Sequence, residues 1–142
     1  HKYYPKIDIA ILSAAVADFK PKQVATQKIK KKEISLSIEL ENTKDILASL
    51  GTIKKHQFLV GFALETNDEV ANAKAKLERK NLDLMVANDV SQPGVGFQHD
   101  TNAVTFLTPN QPLHLLPLSD KRNVARALLD IVVKIRHSQT TS

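Results

Sequence analysis

The sequence predicts an α/β fold built on a doubly wound, mostly parallel sheet, and three observations carry that prediction. Short apolar runs at Ile7–Leu12, Phe58–Ala63 and Leu82–Ala87 are too brief for helices and read as buried strands. Segments with apolar residues at three- and four-residue spacing lie between and after them, above all Glu69–Lys80 and Val124–Ile135. Strand and helix thus alternate along the chain, as crossover connections on a parallel sheet require. No repeat, low-complexity segment or linker divides the 142 residues, so one domain over 1–142 is expected, with a disordered polar tail at 137–142.

The first strand, Ile7–Leu12, runs into Ser13-Ala14-Ala15-Val16-Ala17-Asp18-Phe19-Lys20-Pro21. Ligands of open α/β sheets bind at the carboxyl ends of strands, and Ala14, Ala15 and Ala17 let a ligand come close to the backbone. Asp18 and the nearby lysines suit a metal-bound phosphate chain. Next, Ile34, Leu36, Ile38 and Leu40 alternate with polar residues, which predicts a half-exposed, antiparallel strand over Ile34–Glu41. Asn42–Asp45 offers capping side chains for a short helix containing Ile46, Leu47 and Leu50, with Gly51 as its stop.

Phe58–Ala63 is the second buried strand, and Phe62 near its end is either core or the wall of a ligand site. Asn67 or Asp68 can cap the helix Glu69–Lys80, where Val70, Ala73 and Leu77 form the apolar face. Lys76 and Lys80 project together from another face. They are either solvated or share an anion. Asn81 ends this helix in a left-handed turn before the strand Leu82–Ala87 and the pair Asn88-Asp89. Gly94-Val95-Gly96-Phe97 lacks the spacing of a phosphate-binding glycine motif. Ala103–Leu107 and His114–Leu118 read as a hairpin, and Ser119 as the cap of a final helix whose stripe is Val124, Ala127, Leu128, Ile131, Val132 and Ile135.

Composition narrows the function. Hydrophobic residues make up 42% and charged residues 25%, which suits one packed core. No apolar run approaches the ~20 residues of a membrane helix and no signal peptide pattern occurs, so a cytoplasmic protein without a membrane partner is expected. With no cysteine there is no thiol nucleophile, and none of the five histidines has metal-ligand spacing. The net charge of +5 invites a nucleic-acid reading. Much of the excess sits at Lys20, Lys22, Lys28 and Lys30–Lys32 and again at Lys74, Lys76, Arg79 and Lys80. No aromatic residue interleaves with these lysines as a stacking platform would require, so a small polyanion is preferred to nucleic acid.

Six words in order, AAVADFKP, KIKK, TKDIL, VGFALET, AKLERKNLDLMVANDVS and GFQHDTNAV, make residues 7–136 resemble the phosphopantothenate–cysteine ligase domain of bacterial coenzyme A biosynthesis. That domain is usually the C-terminal part of a bifunctional flavoprotein whose other half is a decarboxylase carrying FMN. The resemblance implies a Rossmann-like sheet and ligation of 4′-phosphopantothenate with cysteine through an acyl-cytidylate, with CTP as substrate and Mg²⁺ as cofactor. It implies Lys28 as the catalytic cation. Asp18 would meet the nucleotide directly or through the metal. Ala14, Ala15, Lys44, Asp45, Ile46 and Leu47 would lie beside the nucleotide, Phe62 against it, Lys76 and Lys80 on its phosphates, and Asn88-Asp89 near the pocket.

By the same resemblance Lys30–Glu33 is a mobile flap and Ile34–Glu41 belongs to an arm through which such domains form homodimers. Lys44 stands where the family commonly has proline. The family's opening strand, its glycine-rich turn and its Asn-x-Ser-Ser-Gly-Lys word have no counterpart, which implies a sheet incomplete at its N-terminal side and a chain inactive alone. A CTP-binding or dimerising fragment without turnover is the alternative.

Overall fold

The computed structural model describes residues 1–27, 37–65, 69–89, 99–110 and 114–140. A 3₁₀ turn at Tyr4–Lys6 leads into β1 (Ile9–Leu12), β2 (Phe19–Pro21), β3 (Leu40–Asn42), α1 (Ile46–Thr52) and β4 (Phe58–Glu65). α2 (Glu69–Arg79), β5 (Leu84–Asp89), β6 (Thr101–Leu107), β7 (His114–Asp120) and α3 (Lys121–Thr140) complete the order. Five strands form one sheet in the order β1-β4-β5-β6-β7, while β2 and β3 pair separately as an antiparallel arm. The pairs β1–β4 and β4–β5 are parallel; β5–β6 and β6–β7 are antiparallel. The α/β class is as the sequence predicts, with a mixed sheet.

β4 and β5 are apolar up to their carboxyl ends because both faces of the sheet are covered. On one face Leu59, Ala63, Met85 and Leu107 pack with Leu50 of α1 and Ala73 and Leu77 of α2. On the other, Phe58, Val60, Leu84 and Phe106 meet Leu128 and Val132 of α3. The stripe read on α3 is the one buried: Val124, Leu128, Val132 and Ile135 enter the core, and Ala127 and Ile131 pack at its edge. Ala73 and Leu77 of α2 are buried as expected; the side chain of Val70 lies outside the described residues.

Several boundaries differ from the sequence reading, each for a local reason. The arm strand begins at Leu40, and Ser37–Glu39 is not strand; Ile34–Leu36 fall outside the described residues. Its partner β2 carries no apolar alternation to announce it. Charge does so instead: Lys20 lies opposite Glu41, and the ion pairs Lys20–Glu41 at 3.1 Å and Lys22–Glu39 at 3.2 Å cross the arm. These two lysines are therefore held by the arm's own carboxylates.

Gly51 does not stop α1 but lies within its last turn, where a Cβ would stand 1.9 Å from the carbonyl oxygen of Lys80. The glycine lets α1 touch the end of α2. The cap of α3 is Asp120 and not Ser119: Asp120 Oδ1 accepts from the Asn123 amide at 2.7 Å, while the Ser119 hydroxyl donates to Pro117. The tail expected from residue 137 is helical through Thr140, with the Ser138 hydroxyl donating to the Lys134 carbonyl one turn back. Asn81 has φ of 52°, the left-handed conformation expected of it. Asn67 and Asp68 lie outside the described residues.

Candidate functional site

β1 stops at Leu12, level with Gly61, while its neighbour β4 continues to Glu65. The chain leaving β1 turns away, and a notch opens outside the carboxyl ends of the two strands, the position at which open α/β sheets hold ligands. There lies a cavity of about 800 Å³. One wall is the turn after β1, with Ser13, Ala14, Ala15 and Asp18; a second is the start of α1, with Lys44, Asp45, Ile46 and Leu47. Phe62, Ala63 and Leu64 of β4 form the third wall, and Lys76, Arg79 and Lys80 the fourth.

Two hydrogen bonds join the first two walls. The Thr43 amide donates to the Asp18 carbonyl at 2.8 Å, and the Thr43 hydroxyl donates to the Ala17 carbonyl. Segments more than twenty residues apart in sequence are thus fixed side by side at the base of the arm. Gly61 admits the close approach of Leu47, a residue of the lining: a Cβ on Gly61 would come within 2.6 Å of Leu47 and 2.9 Å of Leu82. Phe62 has a core side and a cavity side. It packs against the core under α3 and also lines the cavity, because β4 outruns β1 at that point.

The lining is rich in cations: Lys44, Lys76, Arg79 and Lys80 face the cavity with the carboxylates of Asp18 and Asp45. Asp45 caps α1 through Oδ1, which accepts from the Ala48 amide at 2.9 Å, and its Oδ2 is 3.0 Å from the Lys80 ammonium. Burial alone would raise the Asp45 pKa. The Ala48 amide and the Lys80 ammonium, aided by Arg79, outweigh that effect and hold it below the ordinary carboxylate value.

Asp18 differs, its side chain having no partner among the described residues. A single carboxylate fits a magnesium ion that arrives with phosphate groups, since Mg²⁺ is commonly held by one or two carboxylates, substrate oxygens and water. Among the described residues no three His, Asp or Glu side chains gather into a protein-only metal site.

Ten of the residues proposed from sequence therefore line one cavity: Ala14, Ala15, Asp18, Lys44 and Asp45 among them, with Ile46, Leu47, Phe62, Lys76 and Lys80. Lys28 and the expected flap Lys30–Glu33 lie outside the described residues, as does the loop Gly94–Phe97. Asn88 does not line the cavity. Its side-chain oxygen accepts from Asn102 at 3.0 Å, across the strand pair β5–β6. Arg79 enters the sequence reading only as part of the basic cluster on its helix, and Thr43 only among the capping side chains. The signal for Arg79 was available, since it follows Lys76 by three positions on one helix.

Fold and cavity together define an open-sheet α/β protein with a cation-lined cleft at its strand ends. The chain belongs to the family described as the DNA/pantothenate metabolism flavoprotein C-terminal domain, which matches residues 1–135. It is 46% identical over 132 residues to the coenzyme A biosynthesis bifunctional protein CoaBC of Bacillus subtilis, covering 93% of this chain. It is 44% identical over 135 residues to a cysteine/cysteine sulfinic acid decarboxylase of an unknown prokaryote, covering 94% of this chain. The chain spans 32% and 38% of the lengths of those two proteins. A crystal structure of the C-terminal domain of a CoaBC protein superimposes with a TM-score of 0.76 at 36% identity, covering 96% of this chain and 59% of that one. Among the described residues no helix is long and apolar enough to cross a membrane.

Proposed function

We propose that the cavity binds CTP with Mg²⁺ and that the chain serves the ligation of 4′-phosphopantothenate with cysteine in coenzyme A biosynthesis. The observation that carries this reading is the convergence on one cavity of the small residues Ala14 and Ala15, the carboxylate of Asp18 and three cations of α2 and its C-terminal end. A carboxylate does not condense with an amine at neutral pH. In the proposed reaction the phosphopantothenate carboxylate attacks the α-phosphorus of CTP, giving the acyl-cytidylate and pyrophosphate. The cysteine amine then attacks the acyl carbon and CMP leaves.

No protein nucleophile is needed. What the first step needs is cationic charge where two anions meet. Lys76, Arg79 and Lys80 attract and orient the triphosphate, and Lys28 is assigned to the charge that grows on the reacting phosphate. Bound beside Asp18, Mg²⁺ would neutralise phosphate oxygens and polarise the reacting group. Ala14 and Ala15, without long side chains, leave the backbone open to the nucleotide. Phe62 supplies an apolar wall.

Two partners accompany this reading. The arm is assigned to a homodimer contact, supported by the exposed apolar side chains Phe19, Val24, Ile38 and Leu40. A decarboxylase domain bearing FMN is assigned to the part of the relatives' length that this chain does not span.

Lys28→Gln in the full-length protein tests the reaction. Pyrophosphate release from CTP in the presence of 4′-phosphopantothenate is expected to fall by about 10²-fold or more, the scale of one lost transition-state donor. Near-normal release would overturn the assignment of Lys28. Release without formation of the cysteine amide would overturn the ligase reading.

A further inference from the structure

Within the cavity one cation, Lys80, is held by a carboxylate of the cavity wall. Lys80 is the more enclosed member of its ion pair, its side chain 19% exposed against 50% for Asp45. Its backbone is fixed as well: its carbonyl presses on Gly51, and the Asn81 side chain donates to the Gly51 carbonyl at 3.0 Å. The lysine thus lies along α1, its backbone at one end of the helix and its ammonium at the other, on the capping residue. Asp45 meanwhile has a second tie, to the Ala48 amide, that keeps its carboxylate in place whatever happens to Lys80.

We propose that Asp45 is the built-in counter-ion of the anion subsite: it holds Lys80 when the cavity is empty, and a phosphate group of the ligand must displace it to reach the ammonium. This rests on the reading that the cavity takes a polyanion. The consequence is selectivity. A small anion with one point of attachment gains little by competing with a fixed carboxylate. A phosphate chain that also reaches Arg79 gains enough elsewhere to do so. Asp45 is in this sense a specificity-determining residue, acting through Lys80.

Asp45→Asn separates the counter-ion from the cap, because asparagine caps helices as well as aspartate does but carries no charge. Inorganic triphosphate and inorganic phosphate would be titrated into the wild type, Asp45→Asn, Lys80→Gln and the double variant. At low ionic strength Asp45→Asn is expected to bind triphosphate about fivefold more tightly, the scale of a partly exposed ion pair. Its discrimination against inorganic phosphate is expected to fall. The gain should vanish in the Lys80→Gln background and shrink in high salt.

Unchanged or weaker triphosphate binding by Asp45→Asn would overturn the proposal, as would a gain that survives Lys80→Gln or an absence of triphosphate binding by every form. A melting curve establishes that each variant is folded. If Asp45→Asn tightens triphosphate binding while the wild type shows no preference for CTP over ATP, the nucleotide reading fails and the counter-ion role stands.

Discussion

Asp45 both caps α1 and pairs with Lys80 at the cavity, and the two tasks can be separated by measurement. Asp45→Ala removes the cap and is expected to cost about 1 kcal/mol, whereas Asp45→Asn keeps the cap and loses only the Lys80 pair, less than about 1 kcal/mol. The pH dependence has a fixed sign. The carboxyl is held below its ordinary value in the folded state. It therefore stabilises fully above the unfolded value near 3.9, and this is lost as pH falls through the folded value. The melting-temperature gap between wild type and Asp45→Asn should be full at neutral pH and close below about pH 4. A gap that widens in acid would contradict this. Asp45 was legible as a capping residue from Asn-Thr-Lys-Asp before an apolar run; its lysine was not, because Lys80 is a neighbour only after α1 and α2 pack.

The same packing makes Gly51 sensitive. Alanine is the better helix former by about 1 kcal/mol, yet its methyl would meet a backbone carbonyl that no rotamer change can move. Overpacking of this kind costs about 1–3 kcal/mol or more, so Gly51→Ala should lower the melting temperature. An unchanged or raised value would show that α1 can slide away from Lys80.

At the scale of elements, the strands and helices that face the core could be read directly, and those that do not could not. β4, β5 and the stripe of α3 announce themselves through apolar runs and 3–4 spacing because burial selects those residues. β2 is exposed along its whole length, so burial put no pattern into it. The arm's ion pairs are exposed too, and Lys20→Ala should change stability by less than about 1 kcal/mol. Leu59, fully buried on β4, contrasts with this: Leu59→Ala is expected to cost about 2–5 kcal/mol. Chemical denaturation of the two variants in parallel checks both. Similar losses would mean that the arm is integral to the folded unit.

For the whole molecule, the cleft was legible in outline because its position follows from topology: parallel strands whose chain turns away at their carboxyl ends leave a notch there. Which charges meet in it depends on contacts made across the fold, such as Thr43 with Ala17 and Asp18. The central claim, that this cleft is a CTP site read by α2, is tested most directly by calorimetric titration of CTP with Mg²⁺ at low and high salt. Wild type and the Lys76→Ala/Lys80→Ala double variant would be compared, with ATP in parallel. Tighter binding of CTP than of ATP is predicted for the wild type, together with a loss in the double variant that is much larger at low than at high salt, since salt already screens partly exposed charges. Equal affinity for the two nucleotides, or a double variant that binds CTP as the wild type does, would contradict the claim.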